Sequence, residues 1–416
     1  MDAESAQSPV VRHGIAAEFP RRPYERSDTG RPLALFVTLA FLGWRTHGER
    51  IAAAAADRTD FESLHLQLTP PLWVQVLTHP FRVPRFLRWL FSNGDGLCRL
   101  RPADRVWSRW LRGSLQTFAR DAGIDWIHFS PSEAGLACLG NPVPFSISLD
   151  ATTRGFAEQL GERASRKAIE RQLDTLAAAE LIYCMSEWSR RDVLSESAAL
   201  AEKTEVILPA GRIKDRQHPL AAGRQRDARI VFVGNNWDRK GGDRLLEWHQ
   251  RHFAERARLF IASADAPRAD LPGVVWLGTV ENKRLVDRLL PMMDMLVLPT
   301  RFDQSPQVLF EAAAAGLPIV ASRMAGTPDA VVDGVTGFLI DPTDDVAFVA
   351  AIERLITDQQ LRGEMSASIA RRNSVWLNER VQFGHMFDLM LQRLDPQRQI
   401  SPSPSESAGF EHHHLR

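Results

Sequence analysis

Cysteine is scarce. The 416 residues hold three, Cys98, Cys138 and Cys184, and none is spaced as metal ligands are. That excludes a disulfide framework and a zinc cluster, and fits reduced thiols in a cytosolic protein. No charge of one sign is in excess, since 51 Lys+Arg stand against 51 Asp+Glu, so nothing suggests a chain built to coat nucleic acid. Long apolar runs are also missing. The first 30 residues are polar and contain proline, without the apolar centre of a secretory leader. The longest early run, Leu33 to Leu42, is too short for a bilayer and suits a first buried strand. Neither the G-x-x-x-x-G-K-[ST] nor the G-x-G-x-x-G spacing sits in a phosphate loop, which disfavours an ATPase or a dehydrogenase. There is also no D-x-D in a donor-loop context.

What the chain does have is alternation. Its length points to two domains, and both halves alternate short apolar runs with helical stretches, as doubly wound α/β domains do. The most informative run is Met295 to Ser322. Met295 to Leu298 reads as a strand covered on both faces, and Pro299 ends it. Arg301 to Gln307 is a polar loop, Val308 to Ala315 a helix, and Gly316 with Pro318 the stop before the next strand, Leu317 to Ala321. Asp303 in the loop and Glu311 on the helix are acids eight positions apart. Two carboxylates so placed repel a phosphate but accept hydrogen bonds from the hydroxyls of a sugar or ribose. The alternative is an ordinary ion pair, with Arg301 or Arg323 as the partner of Glu311.

A second stretch complements the first. Arg229 to Val233 reads as a strand, followed by Gly234-Asn235-Asn236-Trp237-Asp238-Arg239-Lys240-Gly241-Gly242 and a helix from Asp243. A glycine turn, two cations and a helix N-terminus together suit a diphosphate. A solvated basic turn is the plainer alternative.

The 295–322 run resembles the acid-x7-acid signature of retaining glycosyltransferases of family 4. The residues that carry it are Pro299-Thr300, Asp303, Glu311-Ala312, Gly316, Pro318 and Ala321-Ser322. Gly326-Thr327-Pro328-Asp329 and Asp333-Gly334-Val335-Thr336-Gly337-Phe338-Leu339 continue the likeness. The resemblance is specific over residues 228–372 and looser over 31–211. It implies the GT-B fold, two doubly wound Rossmann-like domains facing a cleft. It also places the second acid on the donor's ribose and the first by the donor sugar, with Asp303 standing where glutamate is commoner. Lys240 matches the lysine of the V-G-R-x-x-x-x-K-G loop. Asn235 occupies the arginine place, leaving Arg239 to supply that charge beside Gly234. Gly278 and Val280 match the segment that meets the nucleobase, and Ser305, Pro306 and Gln307, in the loop between the two acids, are further donor-binding candidates.

The acceptor side is less regular. Gly43 to Gly48 reads as a glycine-bearing turn like the family's first loop, making His47 and Gly48 cleft candidates. The strand Val143 to Leu149 ends with Leu149 where the family commonly has histidine. Asp150 and Thr152 then become the polar candidates, and His128 or His47 could replace the imidazole. Residues 72–112 interleave tryptophan and phenylalanine with eight arginines. Such a surface suits an anionic membrane or a lipid-linked acceptor, or else core helices with snorkelling arginines.

These readings give domains at 31–211 and 228–372, a linker at 212–227, a helix over 373–394 that the architecture sends back to the first domain, and disordered tails at 1–30 and 395–416. The expected activity is transfer of a sugar from a nucleotide-diphosphate donor to an acceptor hydroxyl with retention, in polysaccharide or glycolipid synthesis. Asp303, Lys240 and Asp150 are the catalytic candidates. No metal, cofactor or nucleic acid is expected, and the location is the cytoplasm or the inner membrane face. Alternatives are another enzyme of this fold, such as an epimerase or phosphorylase, or a non-catalytic nucleotide or sugar binder.

Overall fold

The computed structural model describes residues 10–12, 29–39, 42–68, 102–131, 140, 142–211, 227–373 and 377–399. The segment 72–101, the linker 212–226, Cys98, Cys138 and most of both expected tails lie outside them. The chain forms two compact units. One is the chain through Ile207 together with the stretch from Phe383; the other is Leu208–Gln382.

The first unit is a seven-stranded parallel sheet in the order β1-β3-β2-β4-β5-β6-β7. Its strands are β1 (Val10–Arg12), β2 (Leu33–Leu39), β3 (Glu62–Leu68), β4 (Trp126–Ser130), β5 (Phe145–Leu149), β6 (Leu181–Cys184) and β7 (Thr204–Val206). The helices used below are α1 (Leu42–Ala56), α2 (Pro102–Ala122), α3 (Thr153–Gln159), α4 (Arg166–Ala178) and α5 (Glu187–Glu196). β2 is buried along its whole length, which is why it reads as a near-continuous apolar run. β1 falls inside the stretch expected to be disordered, and pairs with the outer edge of β3 through Val10 opposite His65.

The second unit is a six-stranded parallel sheet in the order β10-β9-β8-β11-β12-β13. It comprises β8 (Ala228–Val233), β9 (Ala257–Ala262), β10 (Val274–Trp276), β11 (Met295–Leu298), β12 (Ile319–Ser322) and β13 (Gly337–Ile340), with α6 (Trp237–Lys240), α7 (Gly242–Trp248), α8 (Gln307–Ala314), α9 (Thr327–Ala330), α10 (Asp345–Thr357) and α11 (Gln359–Asn373). Strands run outward from β8 to β10 on one side and from β11 to β13 on the other. The chain therefore reverses direction across the sheet between β8 and β11.

Residues 208–211, read from sequence as the end of the first domain, belong with the second unit. The Leu208 N–H donates to Gln382 Oε1 at 3.0 Å, and Gly211 bridges to Asn378. Gly211 lies so close to α8 that an added Cβ would stand 2.9 Å from the Phe310 carbonyl oxygen, an approach only glycine allows. The last helix, α12 (Glu379–Leu394), begins in the second unit and continues in the first. There Phe383, Met386, Phe387 and Met390 share one core cluster with Ala34, Phe36, Phe61 and Trp126. Among the described residues no helix is long and apolar enough to cross a membrane.

Candidate active site

In open parallel sheets ligands bind beyond the carboxyl ends of the strands, where the strand order reverses. In the second unit that point lies between β8 and β11, and the loops leaving these two strands are locked together. The Arg301 N–H and the Thr300 hydroxyl both donate to the Arg239 carbonyl, at 2.8 and 3.1 Å. Arg239 Nη1 returns a 2.6 Å bond to the Phe302 carbonyl. Gly241, at φ +75°, packs on the Pro299 carbonyl, where any Cβ would overlap. The Ser322 hydroxyl ties the end of β12 to the Thr300 carbonyl at 2.7 Å.

This lock brings Lys240 onto Asp303. The ammonium donates to Asp303 Oδ2, and Arg239 Nη1 stands 3.5 Å from the same oxygen. All three side chains are largely buried. Gly234 makes room for the pair, since the aliphatic stem of Lys240 lies across it, with Cγ 3.0 Å from where a Cβ would be. Burial pulls the Lys240 ammonium below the usual lysine range; Asp303 opposes that shift and Arg239 adds to it. Two cations and one carboxylate leave a local positive excess in a dehydrated place, which suits an anion more highly charged than Asp303.

The loop into α8 supplies further polar groups. Gln304 Nε2 and Ser305 Oγ are buried and take no hydrogen bond among the described residues. Pro306 is the N-cap, with no side-chain cap, and Gln307 begins the helix. Unmade hydrogen bonds of this kind are costly unless a ligand completes them.

Glu311 is only 5 % exposed and sits among buried Phe310, Ala312, Ala313 and Ala314. The ion pair offered above as the alternative does not form. Arg301 pairs with Asp243 at 2.7 Å and Arg323 with Asp333. The one hydrogen bond to the Glu311 carboxylate among the described residues comes from Asn282 Nδ2, at 2.9 Å. Asn282 opens the short helix that follows Gly278 and Val280 after β10. Gly278 adopts φ +66°, and the Arg268 guanidinium lies against it.

Residues 227–358 match the family model described as glycosyl transferases group 1. Those residues are a group 1 glycosyltransferase domain. A D-inositol 3-phosphate glycosyltransferase of Geodermatophilus obscurus is 26% identical over 294 residues, 64% of this chain and 61% of that protein. Another, from Corynebacterium diphtheriae, is 36% identical over 85 residues, 20% of each chain. This chain thus spans less than two thirds of either relative. Among solved structures, sucrose-phosphate synthase from Thermosynechococcus elongatus superposes with a TM-score of 0.63 at 18% identity, covering 88% of this chain and 100% of that one. Anabaena HepE in complex with UDP gives 0.62 at 16%, covering 87% and 100%. At such identities the likeness establishes the fold, two Rossmann-like α/β units of the GT-B class.

The Gly234 turn of the glycosyltransferase domain is braced from within. Asp265 accepts from the Asn236 and Trp237 N–H groups at 2.8 and 3.1 Å, and Asn236 adopts φ 68°. Asn235 Oδ1 likewise accepts from the Ala264 N–H at 3.0 Å. A turn this tight exposes its amides, and the neighbouring β9 loop carries the acid that satisfies them.

In the first unit, the turn expected over Gly43 to Gly48 is helical, part of α1. Gly48 serves close packing: a Cβ there would overlap the Thr38 side chain on β2. His47 is fully buried, edge-on to Trp44 and Phe383 at 5.6 and 5.7 Å, and neither ring nitrogen has a hydrogen-bond partner among the described residues. Burial and, less, Arg50 pull its pKa down to about 3. His128 is buried too, bonded to Ser146 and Ser130 at 2.9 Å each. Thr152 is the N-cap of α3, accepting from the Gly155 N–H at 3.0 Å, while Asp192 accepts from both its N–H and its hydroxyl. Asp150 is half-buried at the end of β5. Sequence reasoning passed over Asn282 and Asp265. Asp265 sits in a polar loop and Asn282 opens a short polar helix, and nothing in their neighbours signals which distant group they bond.

Proposed function

We propose that the protein transfers a sugar from a nucleotide-diphosphate donor to an acceptor hydroxyl with retention, in polysaccharide or glycolipid synthesis. The observation that carries this reading is the Lys240–Asp303 contact at the switch point of the second unit. Breaking the bond between the anomeric carbon and the leaving phosphate puts growing negative charge on that phosphate. Lys240 and Arg239 are fixed where such charge would meet them, in surroundings that amplify their effect. The diphosphate displaces Asp303 from Lys240 as it binds, and the freed carboxylate turns to the hydroxyls of the donor sugar. Gln304 Nε2, Ser305 Oγ and the amides opening α8 take the remaining oxygens. Glu311 accepts from the ribose, and Gly278 with Val280 lies along the base. This assigns charge neutralisation to side chains and amides rather than to a metal.

This reading uses no covalent intermediate on the protein. The acceptor therefore attacks from the face the leaving group departs from, and the leaving phosphate takes its proton. The relatives named as inositol phosphate glycosyltransferases and the neighbour bound to UDP support a nucleotide-sugar donor. A glycan or lipid-linked acceptor on the cytoplasmic side completes the reading.

The test begins with thermal stabilisation by a panel of nucleotide sugars, followed by release of the nucleoside diphosphate when acceptor is added. Lys240→Ala should lower kcat at least about a hundredfold, the scale of one lost electrostatic contact in the transition state. Undiminished release from that variant would falsify the assignment. NMR of the product fixes the anomer, and an inverted one rules out retention.

A further inference from the structure

Glu311 is a buried carboxylate with no cation beside it among the described residues. Burial of an ionised carboxylate is expensive unless charge or several hydrogen bonds compensate it. Here one neutral amide holds Oε1, and Oε2 takes no bond from any described residue. The fold had cations to hand, because Lys283 and Arg284 follow Asn282 directly in the short helix Asn282–Arg284. It presents the amide instead.

That choice has a chemical meaning. An ammonium or guanidinium against Glu311 would neutralise it and occupy its acceptor sites. An amide N–H fixes the rotamer of the carboxylate while leaving its charge and its second oxygen available. A vicinal diol, with two O–H donors side by side, matches what remains. We infer that Asn282 is the positioning residue that holds Glu311 for the ribose diol of the donor, and so sets the protein's preference for ribonucleotides over analogues lacking those hydroxyls. This rests on reading the second unit as a nucleotide-sugar domain.

The experiment is calorimetric titration of the full chain with UDP, ADP and GDP and their 2′,3′-dideoxy counterparts. The unsubstituted protein should bind one ribonucleotide about tenfold more tightly than its dideoxy form, the scale of a hydrogen bond to a charged group. Asn282→Ala should weaken ribonucleotide binding about five- to tenfold and leave dideoxy binding unchanged, which also shows that the variant is folded. Asn282→Asp sets a second carboxylate beside Glu311 and should lose at least as much. Equal weakening of both nucleotide forms in Asn282→Ala, or no change in either, overturns the inference and leaves the transferase reading standing. So does unsubstituted protein that binds ribo and dideoxy forms alike. If the unsubstituted protein binds none of these nucleotides, the donor-domain reading itself fails, and this inference with it.

Discussion

Lys240 and Asp303 are each other's main compensation in a place largely closed to water. Replacing Asp303 by Asn leaves the ammonium and the Arg239 guanidinium facing a neutral amide, so the ligand-free protein should lose about 3 kcal/mol of stability in urea unfolding. A bound nucleoside diphosphate should restore much of that loss, because its phosphates bring the missing charge. A variant as stable as the parent would mean that the pair contributes nothing. These residues could be found in the sequence because each is out of keeping with its surroundings: acids on an alanine-rich helix or beside a strand end, cations in a glycine turn. Asn282 and Asp265 could not be found in that way. Their roles depend on partners 29 positions away, and an asparagine or aspartate in a polar stretch of sequence reads as a turn residue.

At the scale of elements, glycine marks where backbones or helices come closest. Gly48 brings α1 onto β2 over Thr38. Gly48→Ala should destabilise the protein by about 2 kcal/mol through overpacking, and Thr38→Ala in the same chain should recover most of it. Chemical denaturation of the two single variants and the double variant checks this. Additive losses would show that Gly48 matters for some other reason. The same proximity explains why the sequence misled there: glycines at 43 and 48 signal a turn when their packing partner is unknown. β3 also escaped notice. In Glu62–Leu68 the leucines at 64, 66 and 68 alternate with Ser63, His65 and Gln67, a half-polar pattern for a strand buried on both faces. His65 is accommodated there by stacking on Phe36 at 4.9 Å. At the end of β5, Thr152→Ala should cost about 1 kcal/mol by uncapping α3, read as a lower urea midpoint.

For the whole molecule, the strand and helix alternation was enough to foresee two doubly wound units, because most strands covered on both faces, β3 excepted, leave an apolar run. The boundary at Leu208 was not, since it depends on which helix a glycine can touch. The first unit also concentrates buried histidines. Burial lowers His47 to about 3 and His65 to about 4 from an ordinary 6.5, and burial, with some repulsion from those two, takes His128 well below it. The unfolded chain therefore binds protons that the folded chain refuses. Stability is complete above about pH 6.5 and is lost as pH falls toward 4 and 3. At pH 5 the loss should be about 2 kcal/mol for each strongly shifted histidine. Urea midpoints at pH 7 and 5 measure it. The fall should lie chiefly in the first unit's transition and shrink in His47→Phe.

The return of α12 bears on synthesis. A ribosome releases the chain from its N-terminus, yet the first unit is completed by Phe383, Met386, Phe387 and Met390. Through most of translation Phe36, Phe61 and Trp126 wait without their partners, while Leu208–Gln382 is uninterrupted and can fold as it emerges. The second unit is thus the one ready first, and the half made first matures last.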